Sequence, residues 1–165
     1  MKNISFRTAV LPMSDRLFRL ALRITMNRAE AEDVVQDTLL KVWEHRSEWE
    51  QIDNLEAFAM ATCRNRALDI VKRAGRNTKS LDVVDNRQLT TDNGLQSLEA
   101  REELSLVRRL MDDLPEVQRT IMLLRDIEGK TYQEIAQVLG ISETQVKVYL
   151  HRARTKVRLE LKIRD

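Results

Sequence analysis

The sequence predicts an all-α protein of two small helical domains joined by a flexible linker. Three observations lead there. Only 4 Gly and 2 Pro occur in 165 residues, too few turn formers for a many-turned all-β fold. Apolar residues recur at three- and four-residue spacing through most of the chain, the period of an amphipathic helix. That period is lost over residues 76–96, a polar stretch rich in Asn, Asp and Thr, and then resumes. A structureless stretch of about 20 residues inside one compact domain is unusual. The expected division is therefore a helical domain over 1–76, a linker over 77–97 and a second helical domain over 98–165.

The first expected helix is Ser14–Met26, with Leu17, Leu20, Ala21 and Ile24 on one face and Asn27 as its stop. The second runs from about Ala29 to Arg46. Its stripe is Ala31, Val34, Val35, Thr38, Leu39, Val42 and Trp43, and its first half carries Glu30, Glu32, Asp33 and Asp37, the end where the helix dipole favours acids. Residues 47–54 break the pattern and read as a loop. Asn54 is placed to cap a third helix, Leu55–Ala74, with Phe58, Ala61, Thr62, Leu68 and Val71 inward and Gly75 at its end. Beyond the linker, a helix over Ser97–Asp112 uses Leu98, Leu104, Val107, Leu110 and Met111. Pro115 suits the first turn of the next helix, which turns Val117, Ile121 and Leu124 inward and is closed by Glu128, Gly129 and Lys130.

Residues 131–157 carry the strongest local pattern. Thr131 and Glu134 form a capping box, and Ile135, Ala136 and Leu139 supply an inner face. Gly140 stands where a left-handed residue would end that helix. Ser142 and Gln145 form a second box, flanked by Ile141 and Val146 in the arrangement of a hydrophobic staple. Two capped helices joined by a tight Gly turn make a helix-turn-helix. Its second helix turns Val146, Tyr149, Leu150, Ala153 and Val157 inward and Thr144, Lys147, Val148, His151 and Arg152 outward. In the usual docking geometry that outward face meets base edges in the major groove. Lys147 and Arg152 can donate to guanine, Val148 can meet a thymine methyl, and backbone N–H groups at the Ser142 end can hold a phosphate.

Charge and composition narrow the function classes. The net charge of +2 names no partner, but its distribution does. Residues 64–76 hold Arg64, Arg66, Lys72, Arg73 and Arg76 against Asp69 alone. Residues 142–164 hold Lys147, Arg152, Arg154, Lys156, Arg158, Lys162 and Arg164 against Glu143 and Glu160. Basic stretches on an otherwise balanced chain suit phosphate binding. The single cysteine, Cys63, excludes an intramolecular disulfide framework and a thiolate zinc cluster, and reads as a packing residue. His45 and His151 make no metal motif. Asp33 and Asp37 share a helix face but read as a solvated acidic face rather than a magnesium site. No catalytic residue, metal site or cofactor is expected. No apolar run approaches the length of a membrane span, and the N-terminal stretch is too short for a signal peptide, so a cytoplasmic protein is the expectation.

These residues resemble the extracytoplasmic-function (ECF) sigma factors of bacterial RNA polymerase. The stretch from Leu114 to Arg154 follows the second domain of that family. Residues 31–44, AEDVVQDTLLKVWE, look like its polymerase-binding helix, and residues 54–76 look like the segment that reads the melted promoter. The resemblance implies roles residue by residue. Asp33, Gln36, Asp37, Leu40 and Trp43 would dock on the clamp coiled coil of the polymerase's largest subunit. Trp49 and Asn54, with Asn65, would capture a flipped base of the minus-ten element, and Arg64, Arg66, Lys72, Arg73 and Arg76 would hold the backbone there. Ser142, Thr144, Lys147, Val148, His151, Arg152 and Arg154 would read the minus-thirty-five element as duplex. The family often has an aromatic-leucine pair where this chain has Phe58-Ala59. The partners implied are core RNA polymerase, promoter DNA and an anti-sigma protein, often membrane-bound, with no membrane insertion of this chain. The competing reading is a dimeric helix-turn-helix repressor or activator that binds palindromic sites without polymerase.

Overall fold

The computed structural model describes residues 6–75 and 98–164, and every regular element among them is helical. The expected linker, 77–97, and Arg76 lie outside the described residues, as do the side chains of Leu98 and Leu104. Before the gap stand α1 (Phe6–Ala9), a 3-10 turn (Leu11–Met13), α2 (Ser14–Thr25), α3 (Arg28–Glu44), a 3-10 segment (Arg46–Gln51) and α4 (Leu55–Arg73). After it come α5 (Leu98–Asp112), α6 (Glu116–Met122), a π-helical turn (Leu123–Ile127), α7 (Tyr132–Leu139) and α8 (Glu143–Arg164).

Helices α2, α3 and α4 pack mutually around Leu17, Leu20, Ile24, Val34, Val42, Met60 and Ala67. Asn27 does not stop α2. Its side chain accepts the Glu30 N–H at 3.0 Å and caps α3, and Met26 in the left-handed region (φ 57°) ends α2 instead. Asn serves at either end of a helix and Met26 carries no C-cap signature, so the sequence leaves the assignment ambiguous. The segment read as a loop before Asn54 is mostly 3-10 helix, and it turns Trp49 into the core. Asn54 caps α4 as expected, accepting the Ala57 N–H at 3.0 Å. The buried face of α4 is Ala57, Ala59, Met60, Cys63 and Ala67, whereas Phe58, Ala61, Thr62, Leu68 and Val71 flank it half-buried. The expected stripe is thus rotated. Apart from Met60 the buried positions are small, as suits a helix crossed by α2, α3 and α7.

In the second half, α6 and α7 both pack on α8, around Ile121, Leu124, Ile135, Val146, Leu150 and Ala153. The π turn arises where the Glu128 N–H bonds the Leu123 carbonyl at 3.0 Å, five residues back. Gly129 then adopts φ +70°, which a β-carbon disfavours, and the Lys130 N–H closes on the Leu124 carbonyl at 2.8 Å. Both expected capping boxes form. Thr131 Oγ1 accepts the Glu134 N–H and Glu134 accepts the Thr131 N–H, each at 3.1 Å. Ser142 Oγ accepts the Gln145 N–H at 3.1 Å, and Gln145 Oε1 accepts the Ser142 N–H at 3.0 Å. Gly140 carries the expected left-handed conformation between the two helices. Thr131→Ala should cost about 1 kcal/mol of stability, read by urea denaturation, while Thr131→Ser should cost a few tenths.

The two halves touch. Helix α4 lies against α7, and α2 against α6. Four ion pairs among the described residues cross this seam. Arg64 on α4 is bidentate to Glu116 at 2.8 and 2.9 Å, and Arg19 on α2 is bidentate to Glu128 at 2.6 and 2.8 Å. Arg23 Nη1 donates to both carboxylate oxygens of Asp112, at 3.0 and 3.3 Å. Glu56 accepts from Lys130 at 2.6 Å and also from Arg16 of its own half. Burial alone would raise the Glu56 carboxyl, but the hydrogen bonds from Lys130 and Arg16 outweigh it and hold that carboxyl below its ordinary value.

Candidate nucleic-acid interface

Recognition-helix geometry follows from the second capping box. Ser142 fixes the start of α8, and burial of Val146, Leu150, Ala153 and Val157 fixes its rotation. That leaves Thr144, Lys147, Val148, His151 and Arg152 exposed together on one face. Lys147 Nζ lies 5.5 Å from the centre of the Tyr132 ring, and the Arg152 guanidinium 5.9 Å from that of Tyr149. Aromatic faces hold these cations extended along the surface without neutralising them. Lys147→Ala should weaken duplex binding and lower the salt-dependence slope by about 1, measured by anisotropy over a salt series. Arg154 differs from its neighbours. It is half-buried and pairs with Asp126 through both Nε and Nη2, which raises its pKa further and anchors α8 to the π turn.

A second surface is the outer face of α3. Asp33, Gln36, Asp37, Leu40 and Trp43 are all exposed there, with Leu40 at 61% and Trp43 at 43% of full exposure. Two large apolar side chains flanked by acids on a helix whose opposite face is core make a surface suited to a protein partner. The Trp43 ring is braced from two sides. Its edge meets Trp49, with centroids 6.2 Å apart, and the Arg46 guanidinium sits 4.5 Å over its face. Sequence reasoning did not single out Arg46, although a basic residue three positions after a helical Trp is the available signal.

The minus-ten set is divided. Trp49 is 4% exposed, and its indole N–H donates to the Val42 carbonyl at 2.9 Å. It therefore offers no face for a base to stack on, and its expected role in base capture is corrected to one in the core. Asn54 spends its carbonyl oxygen on the α4 cap, and its amide reaches Glu134 across the seam at 3.5 Å. Asn65 is exposed, with no side-chain hydrogen bond among the described residues. It lines a polar groove of about 450 Å³ between α3 and α4, together with Asp37, Thr38, Lys41, Thr62, Arg66 and Asp69. The groove does not include Trp49 or Asn54, so the three residues expected to form one pocket are not brought together. Arg66 bonds Asp37 at 2.9 Å and Asp69 at 3.2 Å, and Arg73 also reaches Asp69. Lys72 is exposed. Arg64, expected to hold a DNA backbone, has a side chain only 13% exposed and is taken by Glu116 in this arrangement.

Cys63 is fully buried, donates to the Leu17 carbonyl at 3.4 Å and has its thiol pushed up to about 12 by burial. Such a thiol is inert at neutral pH. No cluster of His, Cys, Asp and Glu among the described residues is arranged to hold a metal ion, and no described helix is long and apolar enough to cross a membrane.

Two family models match the chain: sigma-70 region 2 over residues 10–77 and sigma-70 region 4 over residues 104–157. The ECF RNA polymerase sigma factor SigE of Mycolicibacterium smegmatis is 31% identical over 147 residues, which cover 88% of this chain and 57% of SigE. The chain thus spans little more than half the length of that relative. ECF RNA polymerase sigma factor SigL of Mycobacterium tuberculosis is 30% identical over 146 residues, covering 88% of this chain and 82% of SigL. Among solved structures, the sigma factor RpoE in complex with the anti-sigma factor NepR from Bartonella quintana superposes with a TM-score of 0.75 at 24% identity. It covers 96% of this chain and 97% of that one, a likeness of fold.

Proposed function

The chain belongs to the extracytoplasmic-function sigma factors, and from that premise we propose that it is a promoter-specificity subunit of RNA polymerase in the cytoplasm. Residues 1–76 bind core polymerase and the minus-ten element, 77–97 act as a tether, and 98–165 read the minus-thirty-five duplex. The chain performs no covalent chemistry. It positions the polymerase, which does. Opening of the upstream DNA is driven by exchanging base stacking for capture of a flipped base, at a cost of a few kcal/mol per base. The α3 face supplies the polymerase contact through Trp43 and Leu40, with Asp33, Gln36 and Asp37 around them. Thr144, Lys147, Val148, His151 and Arg152 read the duplex, Ser142 seats a phosphate, and Arg154 orients α8. Asn65, Arg66, Lys72 and Arg73 line the path of the melted strand, and Arg64 joins them when Glu116 releases it. An anti-sigma protein is the expected inhibitor.

One observation carries the reading. An exposed Trp and Leu on a helix away from the helix-turn-helix answer a protein partner, and a self-sufficient repressor has no use for that surface beyond dimerisation. In vitro transcription with core polymerase and a promoter library tests it. Initiation at new start sites dependent on this chain is the expected result, while tight sequence-specific gel shifts without polymerase would favour the dimeric repressor. Asn65→Ala should spare polymerase binding and reduce open complex, as read by permanganate footprinting. Loss of polymerase binding instead would remove Asn65 from the melted-strand path.

A further inference from the structure

Burial of Trp49 removes the expected stacking face from the first half, and the groove between α3 and α4 leads to a different aromatic pair. Helices α3 and α4 run antiparallel along this groove. Arg66 bonds Asp37 at 2.9 Å, Lys41 and Thr62 line the next turn, and one turn further His45 meets Phe58. The two ring centroids are 5.7 Å apart, with planes inclined at 58°. Backbone contacts tie this step to the groove. His45 Nδ1 donates to the Lys41 carbonyl at 2.8 Å, and Thr62 Oγ1 donates to the Phe58 carbonyl at 2.9 Å. His45 and Phe58 are each half-buried, so the step keeps surface in solvent where Trp49 keeps almost none.

The charges lining the groove cancel. Arg66 bonds Asp37 and Asp69, at 2.9 and 3.2 Å, and Lys41 offsets the second carboxylate. A phosphate site needs excess positive charge, whereas a balanced polar lining suits an uncharged planar ligand. Asn65 lies two turns from Phe58 on the same face of α4, about 10 Å along the axis, which leaves room for one base between them. Its amide is exposed, makes no side-chain bond among the described residues, and offers a donor beside an acceptor.

We propose that the groove between α3 and α4 takes an unpaired nucleic-acid base, stacked on the His45–Phe58 step and hydrogen-bonded by Asn65. The inference rests on the proposed function, in which a melted strand passes Asn65, and it puts Phe58 and His45 in the stacking role that Trp49 cannot fill. Lys72, exposed one turn past Asp69, meets an adjoining phosphate. The groove is open while the two halves are in contact, so the full chain can be tested without polymerase.

The test is titration of the full chain into a short single strand carrying one 2-aminopurine, whose fluorescence is quenched by stacking. Saturable quenching by the native chain is the expected result. Phe58→Leu should weaken binding by about tenfold or more, and Phe58→Trp should restore it, a rescue that depends on the aromatic face rather than on filling space. If Phe58→Leu loses helicity, His45→Ala with His45→Phe as its rescue makes the same comparison. A folded Phe58→Leu chain that binds and quenches like the native one overturns the proposal. So does an abasic strand bound as tightly as the 2-aminopurine strand, because phosphates alone would then account for the affinity. Open-complex formation with core polymerase separates this inference from its premise. Aromatic-dependent quenching by a chain that directs no initiation keeps the groove as a base site and removes the promoter-specificity reading. Native-level opening by Phe58→Leu keeps that reading and removes the groove.

Discussion

Trp43→Ala should leave the fold intact and weaken binding to core polymerase by about 30-fold or more, whereas Trp49→Ala should unfold the first half without addressing polymerase at all. The two indoles are six residues apart and touch edge to face, yet their physics is opposite. Trp49 is enclosed and satisfies the Val42 carbonyl with its N–H. Truncating it opens a cavity under α3 and strips a hydrogen-bond partner from the helix's last turn, a loss of about 3–5 kcal/mol. That is a large fraction of what a small domain holds. Trp43 presents nearly half its surface to solvent, so its removal should change stability by about 1 kcal/mol or less. A hot spot is an aromatic that becomes buried only in the complex, and Trp43, pre-set by Arg46 and Trp49, loses little conformational freedom on docking. Denaturation followed by circular dichroism and binding to fluorescently labelled core enzyme separate the two effects. If Trp49→Ala folds normally, the core role is wrong. If Trp43→Ala binds core enzyme as tightly as the native chain, α3 is not the docking face.

The sequence distinguished neither indole, and the reason is local. A Trp at the edge of a helical stripe satisfies the same spacing whether it points in or out, and the 3-10 segment that buries Trp49 has no strong periodic signature. By contrast the helix-turn-helix was fully legible. Each device that builds it, the two boxes, the staple and the glycine turn, joins residues within five positions of one another, so its chemistry is written contiguously. The α4 face was misplaced because a helix crossed by three others selects small residues at the crossing points, and period alone ranks Phe58 above Ala59. The seam was not legible at all. Arg64 and Glu116 are 52 positions apart, and Arg19 and Glu128 are 109 apart, and each alone looks like an ordinary solvated charge. Arg64 was expected to hold a DNA backbone, and in this arrangement its partner is a carboxylate of the opposite half.

The closed arrangement should open in acid before the helices melt, and Glu56 sets the sign. In the closed form Glu56 is held below its ordinary 4.5, whereas on separation it loses Lys130 and returns toward that value. A carboxylate depressed in one state favours that state at pH above its ordinary pKa, and the advantage is lost as pH falls through the depressed value. Scattering at low salt should therefore show the radius of gyration rising as pH falls below the ordinary carboxylate range while helicity persists. Raised salt should act in the same direction at neutral pH, because the Arg19 pair is partly exposed and screened within about 8 Å at physiological strength. Glu116→Gln should have the largest effect. It leaves the Arg64 guanidinium, 13% exposed, facing a neutral amide, and a buried cation stripped of its partner is strongly disfavoured. The chain can escape that penalty only by parting the halves and returning Arg64 to water, where a phosphate can replace the lost carboxylate. The variant should be more expanded than the native chain at neutral pH and should bind single-stranded DNA more tightly, by anisotropy. A Glu116→Gln chain as compact as the native one, with unchanged DNA affinity, would show that apolar packing of α4 on α7 holds the halves together without these charges.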